Sequence, residues 1–229
     1  MSENTQNKII ARIHTEFPTK FGIPRQSGLV EALKATIVFE PEYRNPEALR
    51  GLEGFSHIWL IWEFSEAIRD SWSPTVRPPR LGGNTRMGVF ATRSPFRPNA
   101  IGLSSVKLDS IAQHPDFGSV LYVSGADLMD NTPIYDIKPY LPYTDCHPEA
   151  VGGFVEPLDE RLLEVKFAER LLEQIPEERH NAIIGVLGLD PRPSYQDEPE
   201  RVYGIEFAGF DIKFSVVGKT LTVCELVKL

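Results

Sequence analysis

The residues best suited to chemistry lie in four clusters. The first is set by charge: no acidic residue occurs between Asp70 and Asp109, and the interval carries Arg77, Arg80, Arg86, Arg93, Arg97 and Lys107. The whole chain has a formal net charge of −8, so the rest sums to −14. Guanidinium is planar, permanently charged and able to fork two hydrogen bonds, which suits phosphates, carboxylates and aromatic faces. The local sequence TVRPPRLGGNTRMGVFATRSPFRPNAIGLS is rich in Pro and Gly, so these arginines sit on a shaped loop. A solvated charged face normally mixes signs, and this one does not. The second cluster is FGIPRQSG (21–28), where Arg25 and Gln26 offer donors to an anion. On its own it reads as a surface turn. The third is GADLMDNTPIYDIKPYLPYTDC (125–146), which gathers Asp127, Asp130 and Asp136 near a turn at Asn131-Thr132-Pro133. Carboxylates there could orient a ribose, balance a cation or accept a proton, or simply cap the turn. The fourth is LDPRPSYQ (189–196), in which two prolines flank Arg192 beside Asp190 and Tyr195. An arginine–tyrosine pair on a stiff segment can meet a phosphate and stack a base, or pack as a linker.

The elements that position these clusters read as β-rich over the first two-thirds. Short runs at 8–14, 35–40, 56–64, 87–92, 104–111 and 119–127 are rich in β-branched and aromatic residues and bounded by turn formers. PIYDIKPY (133–140) adds a strand or a capping loop. Many short strands with long connectors predict a barrel or sandwich. SHIWLIWEF (56–64) is almost continuously apolar, which predicts a strand buried on both faces. A short helix is predicted at 46–52. After Asp145 the pattern predicts a strand at 162–167, helices at 168–174 and 176–189, and strands at 201–207, 209–217 and 220–227. The last two should join as a hairpin across Gly218-Lys219. A boundary within 152–159 divides the chain into a domain at 1–152 and a small α+β domain at 153–229.

Composition excludes several classes. An acidic total argues against a general DNA coat but allows one structured RNA addressed by a local patch. His14, His57, His114, His147 and His180 are scattered, and Cys146-His147 lacks ligand spacing, so no metal site is expected. No apolar run is long enough to span a bilayer, and MSENTQNK has no export-type apolar core. With Cys146 and Cys224 the only cysteines, a reducing cytoplasm is the expected location. LGGN (81–84) is neither a Walker loop nor GxGxxG, and neither GxSxG nor HExxH occurs.

The ordered segments PRQSGLV, RGLEGFSH, TVRPPRLGGNTRMGVFATRSPFRPNAIGLS, DNTPIYDIKPYLPY and DPRPSY resemble one family, the TrmO-type (TsaA-like or YaeB) proteins. That resemblance implies a mainly β fold: a non-Rossmann, N-terminal β-barrel methyltransferase domain with a small C-terminal α+β domain. It implies methyl transfer from S-adenosyl-L-methionine to N6 of threonylcarbamoyl-adenosine, next to the tRNA anticodon, by a homodimer. Carried over by position, cofactor contacts fall on Pro24, Arg25, Gln26, Phe64, Ser65, Arg93, Leu103 and Asp127 to Asp130, including Leu128 and Met129. Arg25 or Arg93 would bind the methionyl carboxylate or position a neighbouring loop, and Asp127, Asp130 and Asp136 are the candidate bases. Arg77, Arg80, Arg86, Arg97, Asp190, Arg192 and Tyr195 would address tRNA. Asn131 stands where members often have Gly, and Ala100 where a second Pro is common. Asn tolerates the left-handed conformation, so the turn should survive. A noncatalytic RNA-binding module and a small-molecule methyltransferase are the competing readings. The first would bind tRNA without transferring methyl; the second would show little dependence on salt.

Overall fold

A computed structural model of the chain describes residues 7–81, 83–155, 162–192, 198 and 201–229, with backbone only at residue 80. Six strands form the first sheet: β1 (Ala11–His14), β2 (Lys34–Phe39), β3 (His57–Glu63), β6 (Ile101–His114), β7 (Gly118–Ser124) and β8 (Thr132–Pro139). They hydrogen-bond in the order β1-β2-β7-β6-β3-β8, and β8 pairs back onto β1, so the sheet closes on itself. All its pairings are antiparallel. Alternation explains the closure: Ala11, Ile13, Ala35, Ile37, Phe39, Ile58, Leu60, Trp62, Val106, Leu108, Leu121, Val123 and Ile134 all point into one core. Between β3 and β6 runs a long excursion that carries a two-stranded ribbon, β4 (Thr75–Val76) against β5 (Met87–Gly88).

Two bulges interrupt the closed sheet. One places Asp109 as an extra residue in β6 opposite β7, and the other places Tyr135 as an extra residue in β8 opposite β3. A bulge re-aims the side chain it carries. Tyr135 thereby donates to Glu63 at 2.5 Å, and burial together with that carboxylate pushes its hydroxyl up to about 12.

The remaining strands, β9 (Glu164–Lys166), β10 (Tyr203–Phe207), β11 (Phe210–Val217) and β12 (Thr220–Lys228), form a second sheet in the order β10-β11-β12-β9. β9 runs parallel to β12, and β11 and β12 form the expected hairpin, with Gly218 at φ +60° supplying the left-handed turn. The helix α1 (His180–Gly188) packs Ala182, Ile183, Val186 and Leu187 into this core. The same core takes in Phe17, Val30 and Leu33 from the segment between β1 and β2. Phe17 and Phe207 meet at 5.1 Å between ring centroids. The second unit is therefore packed on a loop of the first.

Some sequence expectations are corrected. SHIWLIWEF is not buried on both faces: Ile58, Leu60 and Trp62 are inside, while Trp59, Ile61 and Glu63 are half-buried on the outer side. The outer face keeps aromatic residues because Trp59 packs on Tyr140 and donates to Asp145 at 2.8 Å. Residues 87–92 form only the two-residue β5 followed by a 3-10 turn at Val89–Ala91. Residues 46–52 form 3-10 turns at Pro46–Leu49 and Leu52–Gly54, broken where Gly51 adopts φ +87°. The helix expected at 176–189 starts with a 3-10 turn at Glu177–Arg179.

Candidate active site

After β1 the chain leaves the closed sheet, contributes Phe17 to the second core, and returns through FGIPRQSG. Gly22 has φ +93°, and a Cβ there would lie 3.2 Å from Ile205 of β10. Gly28 donates its N–H to the Gly125 carbonyl at 2.8 Å, and Gly125 donates to Leu33 at 2.8 Å. A Cβ on Gly125 would press the Gly28 backbone at 3.3 Å. Pro24, Arg25 and Gln26 are thus clamped between the second core and the end of β7. That is where the third sequence cluster begins.

Three of the four sequence clusters contribute to this place. Arg93, from the acid-free loop, donates to the side-chain carbonyl of Gln26, and the Gln26 amide donates to the Arg25 carbonyl. Asp127 lies beside them. Trp62 Nε1 donates to Ser104 Oγ at 3.0 Å, and Ser104 Oγ donates to Asp127 Oδ1 at 2.6 Å. Ser104 is fully buried. Burial holds the Asp127 carboxyl above the ordinary carboxylate range. Ser104, the backbone N–H groups of Asp127 and Ser27, and the charge of Arg93 only partly oppose it. A carboxyl kept high by burial beside a cation is a recurrent signature of a functional group.

The strand geometry builds this relay. Trp62 pairs with Gly102 across β3 and β6, and a Cβ at Gly102 would sit 2.3 Å from the indole. Glycine at that position lets the indole lie flat against the strand and reach Ser104. Phe64 packs on Trp62 at 4.2 Å between ring centroids and donates its N–H to Ala100 at 2.7 Å. Ser65 and Leu103 are exposed.

The other candidate carboxylates are engaged elsewhere. Asp130 Oδ1 accepts from Thr15 N at 3.1 Å and faces His14 Nδ1 at 3.2 Å, which ties the turn to the end of β1. Asp136 pairs with Lys138 at 2.8 Å and lies opposite Ile61. Leu128 is buried in the sheet core, so only its backbone can face a ligand. The Met129 carbonyl accepts from Thr132 Oγ1 at 2.7 Å, and Asn131 takes the left-handed conformation at φ 62°.

The arginines of the acid-free loop split by role. Arg97 is half-buried and donates to the Thr92 carbonyl at 3.2 Å, bracing the loop. Arg77 and Arg86 are exposed at neighbouring positions of the β4–β5 ribbon, and Arg86 donates to Thr75 at 3.2 Å. Arg80 sits in a 3-10 turn at Pro79–Leu81. In the second unit, Asp190 at φ 53° receives the Arg192 guanidinium at 2.8 and 2.9 Å. Tyr195 lies outside the described residues. Among the described residues no group of His, Cys, Asp and Glu could hold a metal ion.

Sequence reasoning missed Ser27, Trp62, Gly102 and Ser104. The available signal was IGLS directly after the arginine loop: a glycine followed two residues later by a hydroxyl, facing the aromatic strand 56–64.

Comparisons with known proteins show the family of the chain over nearly its whole length. The sequence profile described as "tRNA-methyltransferase O N-terminal domain" matches residues 12–146, and that described as "TrmO C-terminal domain" matches residues 160–229. The chain is 39% identical over 225 residues to the tRNA (adenine(37)-N6)-methyltransferase of Escherichia coli, covering 95% of each. It is 35% identical over 147 residues, 64% of this chain and 74% of the other, to a Pyrococcus abyssi protein described as "Probable S-adenosyl-L-methionine-binding protein". A crystal structure of TrmO from Pseudomonas aeruginosa superposes with a TM-score of 0.78 at 32% identity, covering 99% of this chain and 100% of that one.

Proposed function

The chain belongs to the TrmO family, and from that premise we propose that the Gln26–Arg93–Asp127 site methylates N6 of threonylcarbamoyl-adenosine in a tRNA anticodon loop. The coarser statement holds outright: the chain is an S-adenosylmethionine-dependent tRNA (adenine(37)-N6)-methyltransferase of mainly β fold. The closed sheet serves as the β-barrel cofactor domain, with 1–152 and 153–229 as the two domains.

The donor set suits the cofactor: a cation for a carboxylate, a carboxylate and backbone groups for a nucleoside, and apolar Phe64 and Leu103 for a flat base. Bound S-adenosylmethionine supplies an electrophilic methyl group carried on a sulfonium. Arg93, its direction set by Gln26, holds the methionyl carboxylate. Backbone groups of Asp127, Leu128 and Met129 hold adenine and ribose, with Pro24, Arg25, Ser65 and Asp130 at the rim. Transfer to N6 would break the bond between the methyl group and sulfur, leaving a neutral thioether, while the N6 proton must leave, so the urea-like nitrogen gains from a base. Asp127 fits that role better than Asp130 or Asp136, because the latter two are already ion-paired or turn-bound. A raised carboxyl is the better proton acceptor near neutral pH. Alignment of the reacting atoms supplies the larger share of rate, of order 7–11 kcal/mol at best.

Arg77, Arg80 and Arg86 address the loop phosphates, with Arg97 bracing their loop, and the 190–195 segment adds a second contact. Ile101 and Leu103 stand exposed at one end of β6 beside the proposed cofactor site, which supports a homodimer with the site near the subunit interface. Both cysteines are exposed and unpaired, which fits a reducing cytoplasm. No helix among the described residues is long and apolar enough to cross a membrane.

The observation that carries the reading is the meeting of Gln26, Arg93 and Asp127, which lie far apart in the chain, at the end of β7. The test is nucleoside mass spectrometry after incubation with S-adenosylmethionine and tRNA with or without the threonylcarbamoyl group. Methylation of the modified tRNA alone is expected; methylation of neither would contradict the activity.

A further inference from the structure

The acid-free loop presents more than arginines. Trp72 stands three residues before β4, and Phe90 two residues after β5. The ribbon brings their rings together at 6.2 Å between centroids and 30° between planes. Trp72 is 52% exposed and Phe90 74%. Their backbone is fixed: Val89 donates to the Pro74 carbonyl at 2.9 Å and is itself buried, so the adjacent Phe90 is turned outward. Further along the same ribbon, Arg77 and Arg86 flank the paired residues Val76 and Met87. Arg69 stacks over Phe96 at 3.7 Å and stiffens the neighbouring loop. The ribbon therefore carries two exposed rings at one end and two exposed guanidiniums at the other. Two large exposed rings side by side mark a contact surface, and the exposed Arg77 and Arg86 on the same ribbon favour a polyanion. Single-stranded nucleic acid supplies both a flat base and its phosphates.

We propose that Trp72 and Phe90 form a stacking platform for an unpaired base of the tRNA loop beside the target adenine. Arg77 and Arg86 hold the phosphates flanking that base. This rests on the tRNA reading above and adds residues that the resemblance did not assign. Platform stacking is tolerant of base identity, so it supplies affinity and placement while Asp127 and its neighbours act on the target.

The test uses the full chain with Trp72→Ala, Phe90→Ala and the double variant, beside Trp72→Phe and Phe90→Tyr, which keep a ring. Threonylcarbamoylated tRNA and S-adenosylmethionine are titrated separately, and sedimentation gives the oligomeric mass. The expected result is tRNA binding weakened about tenfold or more in the double variant. Cofactor affinity should be unchanged, and the ring-keeping variants should retain most tRNA affinity. The slope of log K against log salt should also stay unchanged in the double variant, whereas Arg77→Ala should flatten it by about one. Three results would overturn the platform: undiminished tRNA affinity in the double variant, an equal loss of cofactor affinity, or a changed oligomeric mass. Failure of the wild-type chain to methylate any tRNA would instead remove the premise on which the platform rests.

Discussion

Two aspartates, one on the closed sheet and one just past its β7 edge, each accept a hydrogen bond from a serine, yet their surroundings push the two carboxyls in opposite directions. Asp109, at the bulge of β6, accepts from Ser124 and pairs with Lys34 at 2.9 Å. Burial alone would raise it, but Ser124, Lys34 and Lys107 together hold it below the ordinary carboxylate range. Asp127, just past the end of β7, accepts from Ser104 and has no ammonium in the position of Lys34, so burial prevails and the carboxyl is held high. Arg93 is close enough to oppose the shift, but burial is the larger influence. One carboxylate is matched to its surroundings and strengthens the sheet. The other is kept at a cost, as expected of a group retained for chemistry.

Replacing each carboxylate gives the largest contrast. Asp127→Asn should lower kcat/KM for tRNA methylation by about 10² or more, while Asp109→Asn should stay near wild type. Similar losses in both would erase the distinction. Next comes the glycine beneath the indole. Gly102→Ala should push Trp62 away from Ser104 and cost about 1–3 kcal/mol in chemical denaturation, with a parallel loss of cofactor affinity.

The pH dependence sharpens the contrast by its sign. Asp127 has a folded pKa above its unfolded value of about 3.9, so its ionisation weakens the fold as pH rises from there through the folded value. The stability of Asp127→Asn relative to wild type should therefore grow with pH. Asp109 has a lowered folded pKa, so its contribution is present above about 3.9 and lost as pH falls through the folded value. Asp109→Asn should accordingly lose its deficit in acid, and urea titrations at several pH values would show both trends. The smallest effect belongs to Lys34→Ala, which should cost about 0.5 kcal/mol because Lys34 is largely exposed.

Much of the site was legible because it is written in local motifs. The loop 24–28, Arg93 and the turn after β7 each carry Pro, Gly or Asn signals, and the structure brings all three together. Ser104 and Trp62 were not legible, since each sits in an alternating strand and looks like ordinary core. Their meeting depends on the β3–β6 register, which brings Trp62 opposite Gly102. The same limit explains the misread strand 56–64: an apolar run shows hydrophobicity but not that Trp59 and Ile61 face outward. It also explains the unexpected reach of the second core to Phe17, Val30 and Leu33. That packing joins residues nearly the length of the chain apart, and no local pattern announces it. Asp127, Asp130 and Asp136 look alike in the sequence; only the fold shows that Asp130 faces His14 and Asp136 pairs with Lys138.

The central claim is that Gln26, Arg93 and Asp127 form the cofactor site. Calorimetric titration of S-adenosylmethionine into wild type, Arg93→Ala and Lys34→Ala at fixed pH tests it most directly. Binding should weaken about tenfold or more in Arg93→Ala, the loss of a charged hydrogen bond to the carboxylate, and stay unchanged in Lys34→Ala. Wild-type affinity in Arg93→Ala would contradict the account.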